Sequence, residues 1–546
     1  MSVLPLLAAV LCVVASLLPP EIHPAGRAVV HGLAAASALA LAWGAASFPP
    51  RAQRAALLYL PLALAALLFV PGGRARGLDE AVAFTGFGLA VLLGRRAASV
   101  PPRRLIPCVI AALGTLVAAQ AVLQHHWAYP RAAAELRAAD TAGAEAYLVR
   151  LDQGRPAGPF SLPAALGGFL ALSLPMTLAV RRAAGGAALR WGASVALLLQ
   201  GYALYLTHSI GGLLAATVAL ALAAAAGAPR PGGAWRTALP AAIAFAALAL
   251  LFVHGRRAEI GARPGGDPVS LRLGNWEAAV RMIREHPVLG VGPGRFGVFY
   301  PRFMRPGMNE TQFAHNSYLQ IVATWGAWAL LPIGLLAAAA LRRRPGSLDG
   351  AAMAARAAGA GFLAHNIVDF TFFLPGVALP AGLLLGLGSP QPAEQATADA
   401  SRPAGRRWVA GALLAAALLA HAATVDRAAL HLDRARTLAL SGDAPAAERE
   451  ALLSAAAWPV DPDPWAFTAQ SLLARGASDS AAALAVRAAE RAVRLEPDAA
   501  ILHHTLALVR AVAADPAAAW VEERRAAQLF PGKPLYRTVA APGPQP

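Results

Sequence analysis

The residues best placed to do chemistry are His315 and Asn316, at the mouth of an apolar run that continues to Leu341. An imidazole exchanges a proton near neutral pH, which suits activation of a hydroxyl nucleophile. The same pair also reads simply as a polar cap at a helix end. Two arginines add a second chemistry, because a guanidinium matches phosphate bidentately and stays charged in apolar surroundings. Arg155 lies in Arg150-Leu151-Asp152-Gln153-Gly154-Arg155-Pro156-Ala157-Gly158-Pro159-Phe160, just before an apolar run, and Arg272 lies in a polar stretch upstream of His315. Together they could clamp a lipid-linked diphosphate; singly, each could rest along the interface with only its head in water. A second pair, His365-Asn366 with Asp369 after it, reads as a satisfied polar turn between two apolar runs. Cys12 and Cys108 both sit inside apolar runs, which excludes a disulfide framework or a cysteine zinc site. His125 and His126 lack paired ligand spacing, so neither a metal site nor a cofactor is expected.

These residues need elements to hold them. Asp267-Pro268 is a helix start, an N-cap followed by proline in the first turn. Leu271, Trp276, Val280 and Ile283 recur at helical spacing before Pro287 stops the helix, leaving Arg272, Arg281 and Arg284 on the other faces. The run His286-Pro287-Val288-Leu289-Gly290-Val291-Gly292-Pro293-Gly294-Arg295-Phe296 follows. Its glycines invite a nucleotide-loop reading, but no strand precedes them and Pro293 breaks any following helix. A tight turn near the membrane surface fits better.

Of the 546 residues, 57% are hydrophobic and only 14% charged, which makes an average water-soluble enzyme a poor fit. A membrane helix needs about 20 mostly apolar residues. Such runs fall near 3–19, 28–47, 55–71, 78–94, 105–124, 161–180, 189–207, 210–227, 237–253, 315–341, 352–367, 372–388 and 408–424. The expectation is an all-α polytopic membrane protein of about 13 transmembrane helices plus a helical repeat domain. Alternate short loops hold seventeen arginines against three, which makes the arginine-rich set cytoplasmic. The N-terminus is then inside, and the segments 125–160 and 254–314 and the C-terminal region face the periplasm. The +17 net charge follows the membrane loops, since residues 425–546 carry 14 acids and 13 bases. Nucleic-acid binding is therefore not expected.

The tail from 425 to 546 is a different material from the 1–424 membrane domain. Amphipathic stretches such as Ser480–Leu495 and Pro516–Leu529 are separated by proline and glycine breaks. Leu495-Glu496-Pro497-Asp498 recurs 34 residues later as Leu529-Phe530-Pro531-Gly532, and Pro462 precedes Pro497 by 35. That period marks tetratricopeptide-like repeats, with Trp465, Ala488 and Ala518 at the packing positions. An unspecific helical bundle is the alternative. Either version is a binding or spacing module that could engage a protein partner or the growing glycan.

Taken in order, the pieces from about 155 to 385 resemble the O-antigen ligase and O-antigen polymerase superfamily. They are Arg155-x-x-Gly158-x-Phe160, Thr207-His208-Ser209-Ile210-Gly211-Gly212, Arg272-x-x-x-Trp276, the His286 to Phe296 run, His315-Asn316-x-x-Leu319 and His365-Asn366-x-x-Asp369-Phe370. The resemblance implies an inner-membrane glycosyltransferase that passes a glycan from an undecaprenyl-diphosphate carrier to a periplasmic lipid, glycan or protein acceptor, without a metal. It also implies that His315 activates the acceptor and Arg272 acts with it at the leaving group. Arg155, Asn316, Ser209 and Arg295 would hold substrate. Two departures stand out: Ile210 occupies the usual arginine position of the turn, and Ala323, Thr324 and Trp325 fill the stretch where an acid is often found. The competing expectations are a transporter of a small anion such as bicarbonate and a non-catalytic scaffold for the repeats. A transporter would show ionisable residues or broken helices near the bilayer midplane. Arg356 is the main such residue within the expected spans.

Overall fold

The computed structural model describes residues 3–43, 64–100, 104–139, 143–226, 268–341, 349–389, 404–475 and 479–537. Those residues are built from helices and contain no strand. Five helices are long and apolar enough to cross a membrane: Pro24–Ala42, Arg74–Ala97, Leu105–Ala138, Pro163–Arg182 and Trp408–Leu440. Val3–Leu17, Ile210–Ala225 and Pro375–Leu387 are shorter apolar helices. The expected span 237–253, and 55–71 as far as residue 63, lie outside the described residues.

The expected span 315–341 is not one helix. Helix Ser317–Trp325 ends at Gly326, whose φ is +95°, and helix Leu330–Leu341 starts afresh. A Cβ on Gly326 would stand 1.9 Å from the Val288 carbonyl oxygen, so only glycine lets the two backbones meet there. Two other limits also move. Helix Ala404–Leu440 carries the expected span 408–424 far beyond its predicted end. The helix from Leu105 likewise continues through a π turn at Gln124–Ala128 to Ala138, into what reads as loop.

Contacts divide the chain into two compact units, and several helices run from one into the other. The first comprises Met1–Ala52, Ala83–Ala262 and Ile333–Leu419. Its centre is helix Pro163–Arg182, buried without interruption from Ala165 to Thr177. Helices Leu105–Leu123, Ala187–Leu206, Ile210–Ala226 and Gly350–His365 pack around it. Small residues let these backbones approach. A Cβ on Gly94 would meet the Leu383 carbonyl oxygen at 2.1 Å, and one on Gly386 the Val91 oxygen at 2.0 Å. Inside the bundle, Gln200 is fully buried and satisfied by Thr177, Thr115, Ser173 and the Ala111 carbonyl.

The second unit comprises Gln53–Val82, Arg263–Pro332 and Ala420–Pro546. Its tail is a series of consecutive helices, Ala444–Ala457, Asp463–Ala474, Asp479–Leu495, Ala500–Val512 and Pro516–Leu529, each packed on the next. Leu495-Glu496-Pro497-Asp498 and its later counterpart both fall where a helix ends. Ala485, Ala488 and Ala489 make a close seam under Trp465, Leu472 and Leu506. At the last position Ala519, rather than its neighbour Ala518, is the fully buried alanine.

The glycine packing is directly testable. Gly94→Ala, which in an open helix would add helix propensity, should here destabilise by about 1–3 kcal/mol through overpacking. Gly88→Ala on the same helix has nothing within 4 Å of its new methyl and should leave the thermal midpoint unchanged or raise it. Equal midpoints for the two purified variants would show that close backbone approach does not hold this helix pair.

Candidate functional site

His315 is fastened on both sides. Asn316 caps helix Ser317–Trp325, its Oδ1 accepting the Leu319 N–H at 3.0 Å. Before it, the Ala314 N–H donates to Gln320 Oε1 at 2.9 Å. Between these two ties His315 takes φ +53°, a left-handed conformation uncommon for a side-chain-bearing residue, though histidine adopts it more readily than most. Trp276 Nε1 donates to the His315 carbonyl oxygen at 3.3 Å, so helix Pro268–Glu285 is tied to the histidine backbone. Arg272 stands one turn before Trp276 on the same helix face. Its Nε is buried and has no hydrogen-bond partner among the described residues. A buried donor left unpaired is costly.

The glycine run supports this helix from its other end. The Val291 N–H donates to the Ala323 carbonyl at 2.8 Å and the Gly292 N–H to the Thr324 carbonyl at 3.1 Å. Gly290, Gly292 and Gly294 all have positive φ, and a Cβ on Gly290 would meet Thr324 backbone at 2.4 Å. The run is therefore a cap on the end of the His315 helix, as a tight-turn reading requires. Glu80 packs against the end of this helix from another part of the chain. It accepts Trp325 Nε1 at 2.7 Å and a Gly294 N–H.

Arg295 corrects an expectation. Rather than facing substrate it is 1% exposed, and its guanidinium is surrounded by partners. Nε donates to Glu496 Oε1 at 2.9 Å, Nη1 to the Val291 carbonyl at 3.1 Å, and Nη2 to Glu496 at 2.5 Å and Asp498 at 2.7 Å. Arg302 reaches the other Asp498 oxygen, and Phe299 lies between the two guanidinium groups at 4.9 and 4.7 Å. Burial opposes ionisation of Asp498, but hydrogen bonds and charge from Arg302 and Arg295 outweigh it and hold its carboxyl below the usual range. Nearby, the Glu277 carboxyl is also held low, first by its hydrogen bond with Arg305 and then by Arg281.

In the first unit, Arg155 rides on a loop that the π turn fixes. Gln124 makes a reciprocal pair with Gly158, Nε2 to its carbonyl at 2.9 Å and Oε1 from its N–H at 2.8 Å. His125 Nδ1 donates to the Gly154 carbonyl at 2.5 Å. Arg155 Nε then donates to the Thr207 carbonyl at 2.9 Å. Ser209 serves as a helix cap, its Oγ accepting the Gly212 N–H at 3.0 Å. His365 is fully buried between Gly168 and Gly211, at each of which a Cβ would come within 3 Å of its ring. Thr371 links it to Asn366, and Asn366 accepts the Phe372 N–H. His365 Nε2 stands 3.5 Å from Asp369 Oδ2, beyond a good hydrogen bond, so the expected polar turn is only partly knit.

The structure thus gathers Arg272, His315 and Asn316 in one unit, and Arg155 and Ser209 in the other. Sequence reasoning missed Gln124, His125, Glu80, Glu496 and Asp498. A single signal was available: an amide and two histidines standing directly after an apolar run.

Residues 195–334 match the family model described as O-antigen ligase. No curated protein matches the chain. The matched stretch contains Ser209, Arg272, the glycine run and His315, whereas Arg155 and His365 lie outside it. The match over 195–334, with helices long and apolar enough to cross a membrane, supports a role in cell-envelope polysaccharide assembly by glycosyl transfer.

The Arg295 cluster yields a sharp expectation. Glu496→Gln leaves a buried guanidinium without its main counter-charge and should cost about 3–5 kcal/mol in denaturant unfolding. Adding Arg295→Met should return most of that loss, because an apolar replacement removes the orphaned charge. A double variant no more stable than the single one would refute the pairing. For Asp498, whose carboxyl is held low, the ionic contribution is complete above the unfolded carboxylate range and fades as pH falls through the lowered value. Asp498→Asn should therefore lose less stability than wild type below about pH 4.

Proposed function

From the O-antigen ligase domain at residues 195–334, we propose that the protein transfers a glycan from an undecaprenyl-diphosphate carrier to an acceptor hydroxyl at the periplasmic face of the inner membrane. The acceptor oxygen attacks the anomeric carbon while the bond from that carbon to the diphosphate oxygen breaks. His315 takes the acceptor proton, and the leaving diphosphate keeps the bonding electron pair. Arg272, with its buried and unpartnered Nε, offsets the charge that develops on the diphosphate. In the other unit, Arg155 is a phosphate-binding candidate by itself, presented by the loop that Gln124 and His125 hold. Asn316 and Ser209 act at one remove, as caps that fix the chain beside His315 and at the Thr207–Gly212 turn. No step in this scheme uses a metal or a nucleotide sugar.

The observation that carries the reading is the left-handed His315 backbone tied through Trp276 to the Arg272 helix. A base for the acceptor and a cation for the leaving group are what glycosyl transfer from a diphosphate needs, and here they share one support. The sidedness comes from the arginine count, which puts the 254–314 segment and the tail outside. The tail would then offer its helical surface to a periplasmic protein partner or to the glycan.

Transfer from purified undecaprenyl-diphosphate glycan in proteoliposomes tests this, with lipid, glycan and protein acceptors each offered. His315→Ala should lower turnover by about 10²-fold or more, the usual worth of a general base. Trp276→Phe removes one hydrogen bond to the His315 carbonyl and should cost about tenfold or less. Wild-type turnover in a folded His315→Ala protein would sink the assignment, and the acceptor that gains glycan identifies the acceptor class.

A further inference from the structure

One end of the first unit's bundle holds none of the residues discussed above. There the starts of helices Leu105–Leu123, Ala187–Leu206 and Gly350–His365 meet the last turn of Pro163–Arg182 around a cavity of about 480 Å³. Its walls are mostly apolar, with Pro107, Val180, Leu189 and Met353 among them. Arg104 and Arg182 line it as well. Arg182 gives Nη1 to the Ala223 carbonyl at 3.1 Å, and its other nitrogens have no partner among the described residues. The one carboxylate at the cavity, Asp349, accepts the Ala352 N–H at 2.8 Å as a helix cap. Two guanidinium groups against a single capped carboxylate leave the lining net positive.

We propose that this cavity binds an anionic phospholipid, with its phosphate at Arg104 and Arg182 and its glycerol and upper acyl carbons on the apolar wall. A free anion would use the arginines alone and leave the wall uncovered; an amphiphile uses both. The cavity also opens among helix ends that the arginine count assigns to the cytoplasmic leaflet, whose surface is negative. Basic pockets between membrane helices on that side are where anionic headgroups dock. The inference rests on the sidedness reading and not on the transfer chemistry, so glycan transfer can fail its test while lipid binding passes.

The chain carries its own reporter. Cys108 lines the cavity and is exposed, whereas Cys12 is fully buried. An uncharged maleimide should therefore label Cys108 alone, with Cys108→Ser as the control for Cys12. In full-length protein in nanodiscs, phosphatidylglycerol should slow this labelling about tenfold relative to phosphatidylcholine, as two arginines near an anionic headgroup would give. In the Arg104→Gln/Arg182→Gln variant the two lipids should give one rate. Ala179→Phe keeps both arginines, fills the wall and should also abolish the difference, which covers the case where the arginine variant fails to fold. Inorganic phosphate added to phosphatidylcholine discs should have no effect. Slowing by phosphate equal to that by phosphatidylglycerol would overturn the lipid assignment in favour of a free anion. Slowing by phosphatidylglycerol that survives in the double variant would overturn the site, since bilayer surface charge alone would explain it.

Discussion

A charged guanidinium buried among aromatic rings persists only if something of opposite charge is buried with it. Arg295 meets that constraint through Glu496 and Asp498, two hundred residues further along the chain. Desolvating the ions costs several kcal/mol each, so the pair is not a simple gain in stability. Its effect is on geometry. Arg295 also donates to the Val291 carbonyl, and the next residues of that run donate to Ala323 and Thr324. Through three short steps the tail's carboxylates fix the far end of the helix that begins at His315. A buried ion pair with this many directed bonds acts as a registry pin: it permits one arrangement of the glycine run and penalises its neighbours.

The first unit solves a similar problem without charge. Arg155 sits on a short loop, and the loop is held by an extra residue wound into the preceding helix. The π turn at Gln124–Ala128 lets Gln124 read both backbone groups of Gly158 while His125 takes Gly154. Such bulges recur at functional sites because they rotate side chains out of α-helical register. Gly154 and Gly158 both have positive φ, so the loop itself is shaped for this grip. Around His365 the device is absence of side chain, since Gly168 and Gly211 make the slot in which the ring lies.

What could be read from the sequence was whatever depends on neighbours along the chain. Asp267-Pro268 and the spacing of Leu271, Trp276, Val280 and Ile283 announce a helix that the structure contains from Pro268 to Glu285. The glycines at 290, 292 and 294 mark a turn, and His365-Asn366 marks a polar bend, because each pattern is local. Arg295 entered as a substrate-binding residue through the resemblance alone. Its partners became visible only when the tail folded onto it. The contact of Glu80 with Trp325 was equally invisible, because the two lie 245 residues apart. Gly326 shows the limit of hydropathy, which sees one apolar run from 315 to 341 and cannot see that a carbonyl 1.9 Å from a hypothetical methyl splits it.

The tail is thus more than an appendage on a membrane enzyme. At its Leu495–Asp498 turn, the Leu495 carbonyl accepts the Gly73 N–H at 3.1 Å, Pro497 lies where a Cβ on Gly72 would intrude, and Glu496 draws in Arg76 as well as Arg295. The 72–76 turn, the glycine run and the repeat turn form one junction, joined by backbone bonds at positions where only glycine fits. Because the same four residues end a tail helix and brace the His315 helix, displacement of the tail's last helices must strain the glycine run first.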